Sequence, residues 1–304
     1  MNTQPNAPSW KVRAPWPDEL ARLPTALRES LQRRGASRHW LWVLVTGDLE
    51  RIVGAIALAE PEARPDAPRR GRIDWSLSPA WSHDRAAIEA LLQAALERAA
   101  AVNVIELDAQ APLDGHVAAC LEARGFSNVR THEVWQLSVA ANIRHRNPAI
   151  ERMLTRRPIR VHPLDERSLE PVRALCSAHG LLAHERVELP APATRNPKGL
   201  RPALCFVTGE PTDPSAVILG KAGSGQAYLE VLARNPSARA GGLEVAALLR
   251  EFFLGADALD IGLITCVIEP ARAGESLRLL NKAHARRTER FALFKRNDDS
   301  NTPQ

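Results

Sequence analysis

The chain has 304 residues, a length typical of two domains, and its 45% apolar and 25% charged residues are those of a globular protein with a sizeable core. No apolar run approaches the ~20 residues of a membrane helix, and the N-terminus lacks the basic and apolar segments of a secretory signal. The four cysteines are far apart and follow no metal-ligand pattern, so we expect reduced thiols, a cytoplasmic protein and no metal site. The net charge of +5 favours an anionic ligand.

The first half of the sequence predicts alternating strands and helices. WLWVLVT and IVGAIAL, joined through Gly47 and Asp48, predict a β-hairpin, and leucines three and four apart predict an amphipathic helix before it. Gly125 stands just past a predicted helix, where a left-handed residue closes one. The predicted strands are 10–13, 40–46, 52–58, 72–77, 104–107 and 131–139, and the predicted helices are 19–34, 84–100 and 113–124. Strand spacing favours the core for Trp40, Trp42, Trp75 and Trp135, whereas Trp81, beside the first-half loop, could instead stack on a ligand or line a pocket.

Residues 141–158 contain prolines and several arginines, and they predict a linker between a domain at 1–140 and a domain at 159–304. The second half again predicts strands and helices in alternation. The predicted strands are 159–162, 203–207, 217–219, 226–234, 263–268 and 290–295, and the predicted helices are 169–178, 243–253 and 276–286, with an irregular proline-rich stretch at 182–202.

One stretch of the second half carries a motif that fits an anion. QAYLEVLARNPSARAGGLEVAALLREFF reads as a strand that stops at Asn235-Pro236, a loop with two glycines, and a helix from Leu243. Such a loop gathers free backbone N–H groups and the positive end of a helix dipole, which suits phosphate. An ordinary strand-to-helix connection with a glycine turn would have the same pattern.

The elements repeat along the chain. Pro79 and Pro236, 157 positions apart, both end a strand before a helix. LEARGF at Leu121 and LNKAHA at Leu280, 159 positions apart, both end a helix before a last strand. A near-constant offset over several elements predicts two copies of one α/β domain.

The order of elements resembles the GNAT family, the Gcn5-related N-acetyltransferases, here in tandem. The residues that carry the resemblance are IVGAIALAEP, RIDWSLSPAWSHDRAAIEALL and CLEARGF in the first half, and YLEVLARNPSARAGGLEVAALL in the second. The family loop has the form Gln/Arg-x-x-Gly-x-Gly/Ala. The loop from Arg239 to Glu244 is similar at its arginine and first glycine and departs at its last position, whereas the first-half counterpart, Ser82 to Ala87, has no glycine. The resemblance implies an α/β fold of two tandem GNAT-like domains, each a mixed, mostly antiparallel central sheet flanked by helices.

The resemblance also implies a cofactor, acetyl-CoA or another acyl-CoA, bound at the second-half loop. The backbone there would hold the pyrophosphate with help from the Arg239 guanidinium, and the end of the preceding strand would face the pantetheine and the acyl group. The implied cofactor-binding residues are Leu232, Ala233, Arg234, Arg239, Ala240, Gly241, Gly242, Leu243 and Glu244. A carboxylate at Glu244 would repel a diphosphate that it faced, so we expect this side chain to point to solvent in the first turn of the helix.

Acyl transfer to an amine needs a base for the ammonium proton and a proton donor for the thiolate. Family members often use a glutamate on this strand and a tyrosine in the last helix. Glu230 is our candidate base, although simple alternation would also turn it to solvent; its first-half equivalent is Asp74. No tyrosine falls at the family position. The catalytic candidates that replace it are the chain's only tyrosine, Tyr228, which core packing would also explain, and Ser276, with Cys266 as a further possible donor.

Three functions remain open from the sequence. The first is an acyl-CoA-dependent N-acyltransferase, with acetyl transfer from acetyl-CoA to a primary amine of a small molecule or peptide by direct attack in a ternary complex. The second is a catalytically inactive tandem GNAT that binds CoA or a protein partner. The third is nucleic-acid binding through the arginines of the predicted linker, but such clusters usually belong to solvated linkers, so we expect no nucleic-acid and no membrane partner.

Overall fold

In a computed structural model of the chain, the description covers residues 10–23, 38–47, 50–60, 69–179, 187–223, 225–235, 237, 241–271, 278, 280–281 and 283–297. The chain forms two compact units: Met1–His132 with Arg290–Gln304, called unit 1, and Glu133–Glu289, called unit 2. No helix among the described residues is long and apolar enough to span a membrane.

The strands, in chain order, are β1 Trp10–Arg13, β2 Arg38–Thr46, β3 Arg51–Glu60, β4 Arg70–Leu77, β5 Glu106–Pro112, β6 Ser127–Ser138, β7 Val161–Pro163, β8 Leu200–Glu210, β9 Asp213–Gly223, β10 Gln226–Arg234, β11 Leu263–Ile268 and β12 Arg286–Asn297. The helices are α1 Arg85–Ala101, α2 His116–Ala123, α3 Val139–Arg144, α4 Pro148–Arg156, α5 Glu166–Ala178 and α6 Gly241–Asp257, with a 3₁₀ helix at Pro17–Arg22.

Unit 1 is a sheet in the order β1-β2-β3-β4-β5-β12, in which only β4 and β5 pair in parallel among these strands. Its main core fills one face, where Ile56 and Ile73 from the sheet meet Leu91 and Leu92 of α1. A smaller cluster that includes Val43 covers the other face. Successive side chains of a strand between them therefore point alternately into the two apolar layers.

Unit 2 has the corresponding order β6-β11-β10-β9-β8-β7, with β10 and β11 as the parallel pair. One core lies against α6, where Leu248 and Phe252 pack on the sheet. The other lies against α5, whose Val172 and Cys176 meet Val207 and Leu219. A mixed sheet between helices is the architecture that the sequence predicts for each domain.

The last strand of each unit comes from the other half of the sequence. The end of β6 pairs with β11, from Glu133↔Ile268 to Ser138↔Leu263, and β12 pairs with β5 from Phe291↔Pro112 to Asn297↔Glu106. The units therefore differ from the sequence-based domains 1–140 and 159–304, which assigned each last strand to the half that it follows. The exchange also moves Trp135, expected in the first core, into the core of unit 2.

The other predicted elements mostly agree with the structure. Gly125 has φ of +80° and closes α2, as predicted. The predicted linker 141–158 is instead largely helical, because Asn147 caps α4 through the Ala149 N–H and Pro148 occupies its first position. Of the predicted helix 19–34, the described part is a 3₁₀ helix, and 24–37 lies outside the described residues. Of the predicted helix 276–286, the described residues 278, 280 and 281 are helical, whereas 283–284 form a turn and Arg286 begins β12.

Candidate functional site

The two parallel strands of unit 2 separate halfway along their length. β10 pairs with β11 from Gln226↔Leu263 to Leu229↔Cys266 and no further, although it stays paired with β9 up to Arg234↔Ala216. From Glu230 to Ala233, the edge of β10 that faces β11 therefore lies outside the ladder between these strands. An unpaired strand edge offers N–H and C=O groups to an extended ligand, as a chain of amides such as pantetheine requires.

Glu230 lies at the point where the strands separate. The register between β10 and β9 shifts between Leu229 and Val231, so Glu230 is the extra residue of a β-bulge. A bulge redirects a side chain and interrupts regular alternation, so simple alternation does not determine where the Glu230 side chain points. The Glu230 side chain is 28% exposed, and its Oε2 lies 3.2 Å from Nζ of Lys221 on β9.

Tyr228 belongs to a small polar network beside Glu230. Strand pairing places Tyr228 opposite Lys221 on one side and Thr265 on the other. Gln226 Nε2 donates a hydrogen bond to the Tyr228 hydroxyl, and Thr265 Oγ1 donates to Gln226 Oε1 over 3.3 Å. Because the Tyr228 oxygen accepts from Gln226, its own proton remains available to another acceptor. The sequence did not predict the roles of Lys221, Gln226 and Thr265, since cross-strand neighbours depend on register.

Helix α6 begins with the glycine pair of the predicted cofactor loop. A Cβ built on Gly242 meets no heavy atom within 4 Å, so the space over the start of the helix is open. The first N–H groups of a helix lack partners within the helix and share its positive dipole end, so the start of this 17-residue helix is suited to an anion. The predicted contacts Arg239 and Ala240, and the predicted catalytic Ser276, lie outside the described residues.

The predicted cofactor contacts on β10 fall on both faces of the strand. Leu232 packs against the core on the α6 side, whereas Ala233 belongs to the core on the α5 side. The carbonyl oxygen of Arg234 lies 2.9 Å from Nε2 of His179, a neighbour that the sequence did not suggest. Cys266 is 4% exposed, and burial raises the pKa of its thiol to about 12. Because the thiol is buried, it cannot donate a proton to a ligand in the gap between β10 and β11, which is called the slot.

Glu244 lies elsewhere than expected. The sequence placed its carboxylate in solvent, but its exposure is 8%, and its Oε2 has no hydrogen-bond partner. The reason is its position in the first turn of α6, on the helix side that borders a groove together with Val207 and Gly209 of β8. Glu244 therefore borders a groove that is distinct from the gap between β10 and β11.

The corresponding place in unit 1 is filled by the protein itself. β4 and β5 pair from Arg70↔Glu106 to Ile73↔Ala109, and β4 pairs with β3 without a register shift. Beyond Ile73, the indole of Trp75 crosses to β5, where its Nε1 donates a 2.7 Å hydrogen bond to the carbonyl oxygen of Gln110. The Trp75 indole thus bridges the gap between the two parallel strands of unit 1.

The helix that follows β4 also lacks an open anion position. Asp84 caps α1, and its Oδ1 accepts a 3.0 Å hydrogen bond from the Ala87 N–H. A carboxylate at a helix N-terminus occupies the donors and the positive dipole that a phosphate would use. Asp74, the first-half equivalent of Glu230, pairs with the Arg72 guanidinium at 2.9 Å. His83 is exposed and makes an edge contact with His116.

The fold of this chain is that of the GNAT N-acetyltransferases, as comparison with solved structures shows. The chain is similar to a GNAT from Sphaerobacter thermophilus, with 16% identity, 96% of each chain covered and a TM-score of 0.59. It is similar to a tandem GNAT protein from the clavulanic acid biosynthesis pathway, with 16% identity over 87% of this chain and 84% of the other and a TM-score of 0.54. It is also similar to a GNAT from Kribbella flavida, with 15% identity over 91% of this chain and 95% of the other and a TM-score of 0.51.

These likenesses confirm the predicted tandem fold. No protein-family profile and no curated protein sequence matches the chain. At such low identity the likeness concerns the fold alone, so the chemistry must be argued from the residues of this chain.

Proposed function

We propose that unit 2 is an acyl-CoA-dependent N-acyltransferase that transfers an acetyl group to a primary amine by direct attack in a ternary complex. The observation that carries the proposal is the separation of β10 from β11 after Leu229↔Cys266, with the Glu230 bulge at its closed end. Glycines at the start of α6 follow the open end of β10 after a short connection. One slot thus joins a strand edge, a carboxylate and an anion position.

Acetyl-CoA fits this arrangement and, when bound, supplies the activated acyl group as a thioester. The N–H groups at the start of α6 would hold its diphosphate, and Gly242 leaves room for the close approach. The edge of β10 from Glu230 to Ala233 would hold the amide chain. Arg239 is proposed as the charged contact to the diphosphate.

Two side chains have roles in the transfer. The Glu230 carboxylate takes a proton from the acceptor ammonium, which can replace the Lys221 ammonium now 3.2 Å from it. Tyr228 donates its hydroxyl proton to the departing thiolate, and Gln226 orients the tyrosine oxygen. The proposed acceptor is therefore a small molecule or peptide whose amine arrives as a cation.

Unit 1 takes no cofactor in this proposal. The Trp75 indole bridges its strands, and the Asp84 carboxylate caps its helix. Its proposed role is structural. The four thiols, which are free and buried, support a reducing, cytoplasmic compartment.

A second function is favoured by the ion pair between Lys221 and Glu230. If the acceptor cannot displace Lys221, the base stays neutralised, and the chain binds acyl-CoA without turning it over. Such a protein would be an inactive tandem GNAT that binds CoA or a protein partner.

The test combines cofactor binding with thiol release. Acetyl-CoA should raise the melting temperature of the full chain, and Arg239→Glu should abolish that rise, whereas Arg195→Glu, an exposed arginine of another loop, should not. A panel of amines and peptide N-termini should then release free thiol. Binding without release under any acceptor would favour the inactive binder, and no shift with any acyl-CoA would refute both functions.

A further inference from the structure

Unit 2 has a groove that the proposed acyl transfer does not use. It encloses about 680 Å³ between the segment before β7, the start of α5, the end of β8 and the first turn of α6. Its charged lining residues are Arg157, Arg160, His162, Arg167, Glu210 and Glu244, together with the helix-capping Asp165. All of these residues belong to unit 2.

The buried end of the groove contains an unpartnered carboxylate. Glu244 is 8% exposed, and its Oε2 accepts no hydrogen bond from any residue that the structure describes. Thr208, which lies between the lining residues Val207 and Gly209, has a fully buried hydroxyl that is also without a partner. A carboxylate removed from water without a donor is strongly destabilising, so an orphaned buried carboxylate needs an explanation such as a bound cation.

The outer part of the groove is rich in arginine. Arg157, Arg160 and Arg167 are exposed, and within the described part of the chain none of the three forms an ion pair, although the exposed Glu210 lines the same groove. Asp165 is already engaged, because its Oδ1 accepts from the Arg167 and Ser168 N–H groups at 3.1 Å. Three guanidinium groups that line one groove suit a phosphate, which can accept several hydrogen bonds at once.

From this separation of charge we propose that the groove binds a small aminophosphate, with its ammonium group on Glu244 and its phosphate on the arginines. An anion alone would leave the Glu244 carboxylate unpaired and would approach a like charge. A cation alone would leave the guanidinium groups unused. A ligand that carries both groups satisfies both ends of the groove.

The alternative for Glu244 is a buried water that joins it to Thr208, with no ligand at all. The two explanations differ in what a substitution does. If a water serves Glu244, replacing the carboxylate changes no binding. If an ammonium group serves it, the same replacement weakens binding of the zwitterion and leaves binding of free phosphate unchanged.

Isothermal titration of the full chain tests the proposal with three probes: phosphoethanolamine, ethanolamine and inorganic phosphate. We expect phosphoethanolamine to bind at least tenfold more tightly than either of the others. Glu244→Gln should weaken phosphoethanolamine at least tenfold and leave phosphate within twofold. Glu166→Gln, the same change in the first turn of α5 outside the groove lining, should alter neither.

The proposal is overturned if none of the probes binds, if phosphate binds as tightly as phosphoethanolamine, or if Glu244→Gln has no effect. Should Glu244→Gln fail to fold, Arg160→Gln replaces it, and it must weaken phosphoethanolamine and phosphate but not ethanolamine. Sedimentation with phosphatidylethanolamine vesicles distinguishes the source of the ligand. If the wild-type chain binds the vesicles and Arg160→Gln abolishes that binding, the ligand is a lipid headgroup. If the chain binds phosphoethanolamine tightly but does not bind the vesicles, the ligand is a soluble metabolite.

Discussion

The Nε1 of Trp75 donates a 2.7 Å hydrogen bond to the carbonyl oxygen of Gln110, across the place where β4 and β5 stop pairing. The residue of unit 2 at the same distance before its strand-ending proline is Leu232, whose side chain reaches only the core on the α6 side. Within the described residues, an indole thus bridges the parallel strands beyond their last pair in unit 1, and no side-chain hydrogen bond does so at the equivalent position of unit 2. This difference assigns the proposed chemistry to unit 2.

We expect one acyl-CoA per chain, bound in unit 2. Leu232→Trp should transfer the bridge of unit 1 to unit 2 and weaken acetyl-CoA binding by more than tenfold, because an indole would fill the slot. Calorimetric titration measures both the stoichiometry and the affinity. Trp75→Leu, the reverse change, should leave the affinity unaltered, and two equivalents of acyl-CoA per wild-type chain would contradict the assignment.

Glu230→Gln should lower kcat by about 10²- to 10⁴-fold, the usual contribution of a positioned general base. The acidic limb of the pH–rate profile should disappear, because the glutamine cannot accept a proton. Initial rates of thiol release across the pH range provide the measurement. Asp74→Asn in unit 1 is the matched control and should leave turnover unchanged; an equal loss in both variants would argue against Glu230 as the base.

Tyr228→Phe should lower kcat about tenfold or more without changing the dissociation constant of acetyl-CoA, since only the donated proton is lost. Single-turnover kinetics separate this effect from binding. Thr265→Val removes the hydrogen bond to Gln226 but keeps the tyrosine hydroxyl, so it should change turnover by only a few-fold. If Tyr228→Phe retains full turnover, another group protonates the thiolate.

Two glycines of α6 should respond differently to an added side chain. Gly242→Val should weaken acetyl-CoA binding while the unfolding free energy changes little, because the space at Gly242 is open and is proposed to take the diphosphate. Gly255→Ala should lower the free energy of unfolding by about 2 kcal/mol or more, since its Cβ would lie 1.8 Å from the Ala203 carbonyl oxygen. Chemical denaturation and calorimetry of both variants measure the two effects, and intact acetyl-CoA binding in Gly242→Val would place the diphosphate elsewhere.

Acid should weaken unit 1 through Glu19. The Arg13 guanidinium, by its hydrogen bonds, lowers the pKa of this 5% exposed carboxyl from 4.5 to about 2. A lowered folded-state pKa contributes stability above the unfolded value, and that stability is lost as the pH falls from about 4.5 towards 2. Glu19→Gln should therefore cost about 2 kcal/mol at pH 7, and the difference from wild type should shrink by pH 3, as urea unfolding would measure. Asp18→Asn, an exposed neighbour, should have almost no effect at either pH.

Local sequence signals predicted most elements, and they predicted the strand, loop and helix on which the candidate site is built. Alternating apolar residues and the Gly47 turn predicted the β2–β3 hairpin, and Asn235-Pro236 predicted the end of β10. The Asn147-Pro148 pair is a helix-start signal that lies within the predicted linker, and it begins α4. Glu244 was misplaced, because a helix residue near the N-terminus is usually exposed, and only packing on β8 shows otherwise.

The sequence by itself determined that this protein repeats one α/β domain, and it predicted an anion loop in the second copy, because periodicity, prolines and glycines act over a few neighbouring residues. The tertiary structure alone decided that the last strands are exchanged, that Glu230 stands in a bulge beside Lys221, and that the Trp75 indole bridges the parallel strands of unit 1. Each of these depends on strand register and on contacts between distant residues, where a shift of one position turns a side chain to the other face of the sheet.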